Sequence, residues 1–398
     1  MLHCFILIDP SMKRAPILCL LSLVWMTSLL PLPGLAQTEI RNRPGSDYIF
    51  TPEIDLEASA VRNQYRSGTC WCFSTLSFLE SELMRMGKGE HDLSEMYVVR
   101  QVYLAKMDRY VRMHGSSTLG PGGTFHDVWT TWHTAGIVPE GVYSGLGVDP
   151  AGHNHGELDA LMVRMGKALV AEGHPSPRWR AAVAGVLDAY LGAVPAEFVW
   201  EGKTYTPQSY ARQLGLDPSD YLEFTSFTHM PYYEQGLLDI PDNWDGRRMY
   251  NLPLDELVAV VDHALESGYT VGWDADVSEP TFSHGNGLAI VPAQDWSSLD
   301  AAAREALFVR PAPEKVIDAA LRQVSFDNYA TTDDHLMHIT GRVRDRNNQP
   351  YYITKNSWGT SNACGGYLYV SQPYLRYKTI HILVHRDAVP RETLRKLK

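Results

Sequence analysis

Three strings far apart in the chain carry residue types that together do covalent chemistry. They are Gln64-Tyr65-Arg66-Ser67-Gly68-Thr69-Cys70-Trp71, then Asp333-Asp334-His335, then Asn356-Ser357-Trp358-Gly359. A thiol becomes a working nucleophile when an imidazole shares its proton and a third group fixes that imidazole. Cys, His and Asn in this order meet the requirement. Acyl transfer also needs hydrogen-bond donors at the developing oxyanion, and the Gln64 side chain with the Cys70 backbone N–H offers two. An Asn amide can hold one ring nitrogen and set the tautomer, and Trp358 would roof that bond against water. Taken singly, each of these residues is ordinarily structural. Their coincidence points to acyl-bond hydrolysis through a thioester.

The elements that must position these groups are also legible. Residues 70–86 read as a helix stopped by Gly87 and Gly89, so Cys70 sits at a helix start. A helix N-terminus and a neighbouring imidazolium both lower a thiol pKa. Cys72, Leu76, Leu79, Leu83 and Met86 form one apolar stripe. Cys70 lies about 200° from Cys72 on the wheel, on the side of Ser74, Ser77 and Ser81. Cys72 therefore belongs to the core and Cys70 does not. Two bases compete, His335 and His338, in a run whose Ile339-Thr340-Gly341-Arg342-Val343 favours strand. Strand parity puts them on opposite faces, so they cannot jointly hold a metal, and one faces the cleft. Residues 335–344 and 351–355 read as a hairpin turning at 345–348, which returns Asn356 towards His335.

Elsewhere, helices are expected around 93–110, 125–135 and 252–266, and a Gly-rich loop over 120–123. Residues 155–220 read mostly as helix, with a strand-like piece near 198–205. Strands are expected at 269–273, 367–370 and 381–384, and residues 37–60 read as an extended lead-in. Helices first and strands later predict an α+β chain with its site between two lobes.

Composition bounds the partners. The 398 residues are 44% hydrophobic and 20% charged, with net charge −11, which describes a globular chain with ample core. An acidic balance gives no footing on phosphate backbones, so no nucleic-acid partner is expected. Lys13-Arg14, an apolar stretch over 17–30 and Gly34-Leu35-Ala36 read as a secretory signal cleaved near Ala36, with Met12 the expected start and no stable membrane anchor. Removing 1–36 takes away Asp9, Lys13 and Arg14, moving the formal charge to −12. The expected destination is export, periplasmic or secreted. Of the five cysteines, Cys70, Cys72 and Cys364 remain, so at least one thiol stays free. No His/Cys set has zinc-site spacing, and no metal or cofactor is expected.

Gln64-x-x-Ser-Gly-Thr-Cys70-Trp71, His335-Leu-Met and Asn356-Ser-Trp-Gly resemble the papain superfamily. Gly122-Gly123-Thr124-Phe125, Leu187-Asp188-Ala189-Tyr190-Leu191-Gly192, Pro241-Asp242-Asn243-Trp244, Tyr250-Asn251-Leu252-Pro253-Leu254-Asp255-Glu256 and Asp276-Val277-Ser278-Glu279 resemble its bleomycin hydrolase/aminopeptidase C branch. The likeness runs over residues 54–394. It implies a papain-like two-lobe fold over 37–398, with a helical insertion at about 150–220 and a β-rich part at about 269–385. It implies peptide-bond hydrolysis with Cys70, His335 and Asn356 as catalytic residues and Gln64 as oxyanion donor. His335 is chosen over His338 because it stands six residues before Gly341. Substrate would meet Gly122 and Gly123, whose missing side chains permit close backbone approach, together with Asp334 and Trp358. Peptides are the expected partners, and the resemblance extends to a homo-hexameric ring.

Two departures shape the competing expectations. Members of the branch are typically cytosolic, and they end in an arm whose terminal carboxylate holds the substrate's amino group. This chain follows them through Val389-Pro390-Arg391-Glu392-Thr393-Leu394 and stops at Lys398. Aminopeptidase action therefore competes with endopeptidase or mixed action, and more remotely with a peptide-binding module that has lost catalysis.

Overall fold

The computed structural model describes residues 39–146 and 152–398; the secretory-signal reading of 1–36 lies outside them. The lead-in forms two strands, β1 (Ile40–Arg41) and β2 (Ile49–Asp55). Four helices then accumulate: α1 (Cys70–Arg85), α2 (Glu95–Arg112), α3 (Phe125–Thr134) and α4 (Gly156–Glu172). Helix α5 (Trp179–Leu191), a small hairpin of β3 (Phe198–Trp200) and β4 (Lys203–Tyr205), and α6 (Pro207–Leu214) complete the helical part. A single helical turn, Pro218–Asp220, follows α6. Strand β5 (Tyr221–Thr225) follows and joins the main sheet.

The remainder is β-rich. It runs through β6 (Gln235–Leu237), β7 (Arg248–Asn251), helix α7 (Leu254–Glu266), β8 (Val271–Ala275), β9 (Phe282–Ser283) and β10 (Leu288–Ala289). Short helices α8 (Ala301–Ala306) and α9 (Ala319–Asp327) lead to β11 (His335–Asp345), β12 (Pro350–Lys355) and β13 (Tyr367–Ser371). Helix α10 (Gln372–Lys378), β14 (Thr379–His385) and α11 (Arg391–Lys396) close the described chain.

One sheet organises the whole, in the order β6-β7-β5-β14-β8-β11-β12-β13-β10-β9, with β2 added on β11 and β1 on β2. Alternation along the strands separates two cores. Leu336 and Leu383 join the helical core with Cys72, Phe78 and Leu79. Their neighbours Met337, Ile339, Ile382 and Val384 join a second core with Trp273, Leu257 and Val261. A helical lobe thus covers one face of the sheet, and the β-rich lobe with α7 and α10 builds the other. This is the papain-like α+β architecture.

Strand β11 is the hinge of the arrangement. Its first half pairs with β8, its second half with β2, and its other edge with β12. The switch falls at Gly341, where register shifts between Ile339 and Gly341. A Cβ on Gly341 would lie 2.3 Å from the Ile54 carbonyl oxygen, so only glycine lets β2 approach there.

Candidate active site

Helix α1 begins at Cys70 because Gly68, at φ +63°, turns the chain and Thr69 caps it. The Thr69 hydroxyl bonds to Ser67 Oγ (2.6 Å) rather than back to the helix. Among the described residues, no hydrogen bond uses the Cys70 N–H, which is one of the orphan donors of a first helical turn. The serine face of α1 lies on β11: Ser74 Oγ donates to Met337 O (2.6 Å), and Ser77 Oγ lies 2.9 Å from His338 Nδ1. Cys72 is wholly buried on the opposite side, its thiol donating to Glu95 O (3.4 Å). Cys72 joins the helical core as the wheel requires; Cys70 lies outside that cluster but is buried as well.

The parity reading of the histidines holds as well. His338 points into the helical core, edge-on to Phe78. His335 turns the other way, and its Nε2 lies 2.7 Å from Asn356 Oδ1. An amide oxygen only accepts, so Nε2 carries the proton and Nδ1 is left as the basic nitrogen. Oδ1 also accepts from the Ser357 N–H (2.7 Å), which fixes the amide. The Trp358 ring lies 4.6 Å from the His335 ring and tilts 32° over it. Gln64 is held by Ser357 twice: its N–H donates to Ser357 O (2.9 Å), and its Oε1 accepts from Ser357 Oγ (2.6 Å). Its Nε2 remains as the donor end.

The Gly-rich loop lies against the start of α1. Pro121 packs on Gly68, and the Trp71 indole N–H donates to Pro121 O (2.9 Å). Gly122 O accepts from the buried Lys106 ammonium, so its N–H is what remains for an extended peptide. The place of a Gly122 side chain is filled by the Asp242 carboxylate, 1.9 Å from an ideal Cβ. Gly123 is flanked by Trp71 and Asp127. Asp334 is engaged elsewhere: it accepts from the Val277 and Ser278 N–H groups (3.2 and 3.1 Å) and from Thr332 Oγ1 (2.8 Å). Its neighbour Asp333 faces inward instead, with Oδ2 buried.

Burial dominates the electrostatics. It pushes the Cys70 thiol up to about 12, with the Leu336 N–H pulling down and the charges of Asp274, Asp333 and Asp242 adding to the rise. Burial pushes His335 down to about 4, against the Asn356 bond. Burial thus opposes the charged form of both groups, while a helix start and an adjacent imidazole favour the ion pair. Three neighbouring groups were not among the site residues that the sequence singled out. His284 accepts from the Asn356 amide (Nδ2 to Nδ1, 3.3 Å), Asp242 reaches the glycine loop, and Asp274 stands opposite Leu336 on β8. Only the doublet Asp333-Asp334 beside His335 gave any sequence signal of such acidity.

The profile of the Peptidase C1-like family matches residues 199–398, half of the chain. The chain belongs to the Peptidase C1-like family. Aminopeptidase C of Streptococcus thermophilus is 23% identical to it, over 90% of this chain and 86% of that protein. Aminopeptidase G of Lactobacillus delbrueckii subsp. lactis is 22% identical, over 90% and 88%. The crystal structure of PepW from Lactobacillus rhamnosis superposes with a TM-score of 0.68 at 18% identity, covering 87% of this chain and 84% of that one. The protein is a papain-type cysteine peptidase.

Proposed function

We propose that the protein is an aminopeptidase in which Cys70 attacks the carbonyl of a peptide's N-terminal residue. His335 Nδ1 takes the thiol proton and returns it to the leaving amine, and water then hydrolyses the thioester with His335 as base. Asn356 positions the imidazole, and Gln64 Nε2 with the Cys70 N–H stabilises the oxyanion. The observation that carries the reading is the 2.7 Å His335–Asn356 bond, made by the strand that packs on the helix beginning at Cys70. The free-amine preference is supported by the names of the relatives, aminopeptidases C and G. Cys70→Ala should abolish both peptide turnover and labelling by an epoxide thiol inhibitor; retained turnover sinks the assignment. Comparing free-amine aminoacyl substrates with N-blocked peptides tests the direction of cleavage. Export belongs to the same proposal, supported by Lys13-Arg14 ahead of the apolar stretch over 17–30. N-terminal sequencing of the mature protein at Gln37 tests it.

A further inference from the structure

The turn between β9 and β10 brings His284 to the edge of the catalytic cluster, without a role in the chemistry above. Its backbone is held from two sides: His284 O accepts from the Gly287 N–H (3.0 Å) and from Asn362 Nδ2 (2.9 Å). Asn362 in turn accepts from the Cys364 and Gly366 N–H groups (3.2 and 2.7 Å), so the turn is tied to the loop that follows Asn356. The imidazole stands edge-on to Trp358, ring centroids 5.3 Å apart, and the same indole tilts over His335.

The Asn356 amide bridges the two imidazoles. Its Oδ1 accepts from His335 Nε2 and from the Ser357 N–H, while its Nδ2 donates to His284 Nδ1 at 3.3 Å. Among the described residues, that nitrogen is the one acceptor of Nδ2. It accepts only while it carries no hydrogen, so the neutral His284 ring has its proton on Nε2. Nε2 is buried without a hydrogen-bond partner. A buried imidazole with one nitrogen unpaired costs free energy, and the end in use is the one on Asn356.

Protonation reverses that contact. With a hydrogen on Nδ1, His284 confronts the Asn356 NH2 group donor to donor. The amide must then turn or let go, and turning it aims Nδ2 at His335 and removes the acceptor of the Nε2 hydrogen. The added charge also opposes the imidazolium that His335 must form. His335, on β11, is the titratable group that faces His284; Asn356, Trp358 and Asn362 carry no charge. Arg43 reaches the same turn through Asn286 and is paired with Glu305 (2.7 Å). Among the described residues no carboxylate pairs with His284, and burial alone lowers its pKa from the ordinary value of about 6.5.

We propose that His284 is a positioning residue of the peptidase: its neutral ring locks the Asn356 amide with the oxygen towards His335, and acid releases the lock. The proposal rests on the reading of His335 as the catalytic base.

Steady-state kinetics of the full chain on a leucyl coumarin amide, run across the pH range around the ordinary histidine pKa of about 6.5, test it. His284→Phe keeps a ring beside Trp358 but deletes the acceptor, so kcat at neutral pH should fall about 2- to 10-fold with little change in KM. That wild-type advantage should vanish as pH falls through the His284 pKa, because protonation deletes the same acceptor in the wild type. His284→Asn offers an amide oxygen to Asn356 Nδ2 and should recover most of the loss, with its advantage over His284→Phe persisting into acid. A wild-type-to-Phe ratio that stays constant with pH, or no recovery in His284→Asn, overturns the lock and leaves the peptidase reading intact. Nitrogen NMR of 15N-histidine-labelled wild type needs neither turnover nor a folded variant. The His335 ring should hold its hydrogen on Nε2 at neutral pH and lose that tautomer as His284 titrates. This change in a protein that hydrolyses nothing supports the lock while sinking the peptidase reading. A His335 tautomer indifferent to the titration of His284 overturns the lock.

Discussion

The oxyanion role of Gln64 predicts a specific pattern of losses. The side chain is nearly buried, with Oε1 accepting from Ser357 Oγ at 2.6 Å. Gln64→Ala removes the Nε2 donor, and loss of one oxyanion donor costs about 10²- to 10³-fold in kcat. Ser357→Ala leaves the donor in place but frees the amide to rotate. That forfeits one neutral hydrogen bond of about 1 kcal/mol, or about 5-fold in kcat. Since Ser357 acts through Gln64, the double variant should cost no more than Gln64→Ala alone, a clear failure of additivity. The assay is turnover of an aminoacyl coumarin amide beside the rate of Cys70 alkylation by iodoacetamide. Alkylation displaces iodide and builds no oxyanion, so it should stay within about 3-fold of wild type in all three variants. Parallel loss of turnover and alkylation would falsify the donor role and make Gln64 a packing residue. A kcat within about 3-fold of wild type in Gln64→Ala refutes it outright.

Three further outcomes are expected. Asn356→Ala strips the acceptor from two groups at 2.7 Å, His335 Nε2–H and the Ser357 N–H. At about 1 kcal/mol each, kcat should fall about 30-fold with little change in KM, read by steady-state kinetics. Gly341→Ala should lower the urea midpoint by an amount equivalent to about 1–3 kcal/mol, because its Cβ meets the Ile54 carbonyl at 2.3 Å; an unchanged midpoint means β2 does not pair there. Stability should also fall on both sides of neutrality. Burial depresses His381, but its contacts with Asp274 and Glu223 outweigh that and raise it to about 9. Its contribution, on the order of 3 kcal/mol, is therefore full below its ordinary pKa of about 6.5 and lost as pH rises through about 9. His335, lowered to about 4, acts oppositely: its contribution is present above about 6.5 and lost as pH falls through about 4. Urea titrations across pH should show both limbs, and His381→Gln should flatten the alkaline one.

The positions that sequence rendered legible are those whose neighbours are local or one hairpin away. Helix α1 ends at Arg85 with Gly87 at φ +71°, as its stripe and glycines required. The hairpin of β11 and β12 returns Asn356 to His335 because their separation fixes the register. Strand β5 was hidden because Tyr221–Thr225 follows a helical stretch and finds its partners, β14 and β7, far along the chain. Strand β2 lay unseen in the lead-in because its pairing with β11 depends on a glycine 286 positions after Asp55.

A helix N-terminus favours the thiolate by about 1 kcal/mol at an exposed site, and burial here pushes the Cys70 thiol in the other direction. Burial lowers His335 as well, so moving the proton from sulfur to imidazole in a dry cleft creates two buried charges that are favourable only as a close pair. The Asn356 amide, accepting from the His335 N–H, is the contact that offsets part of that cost on the imidazole side.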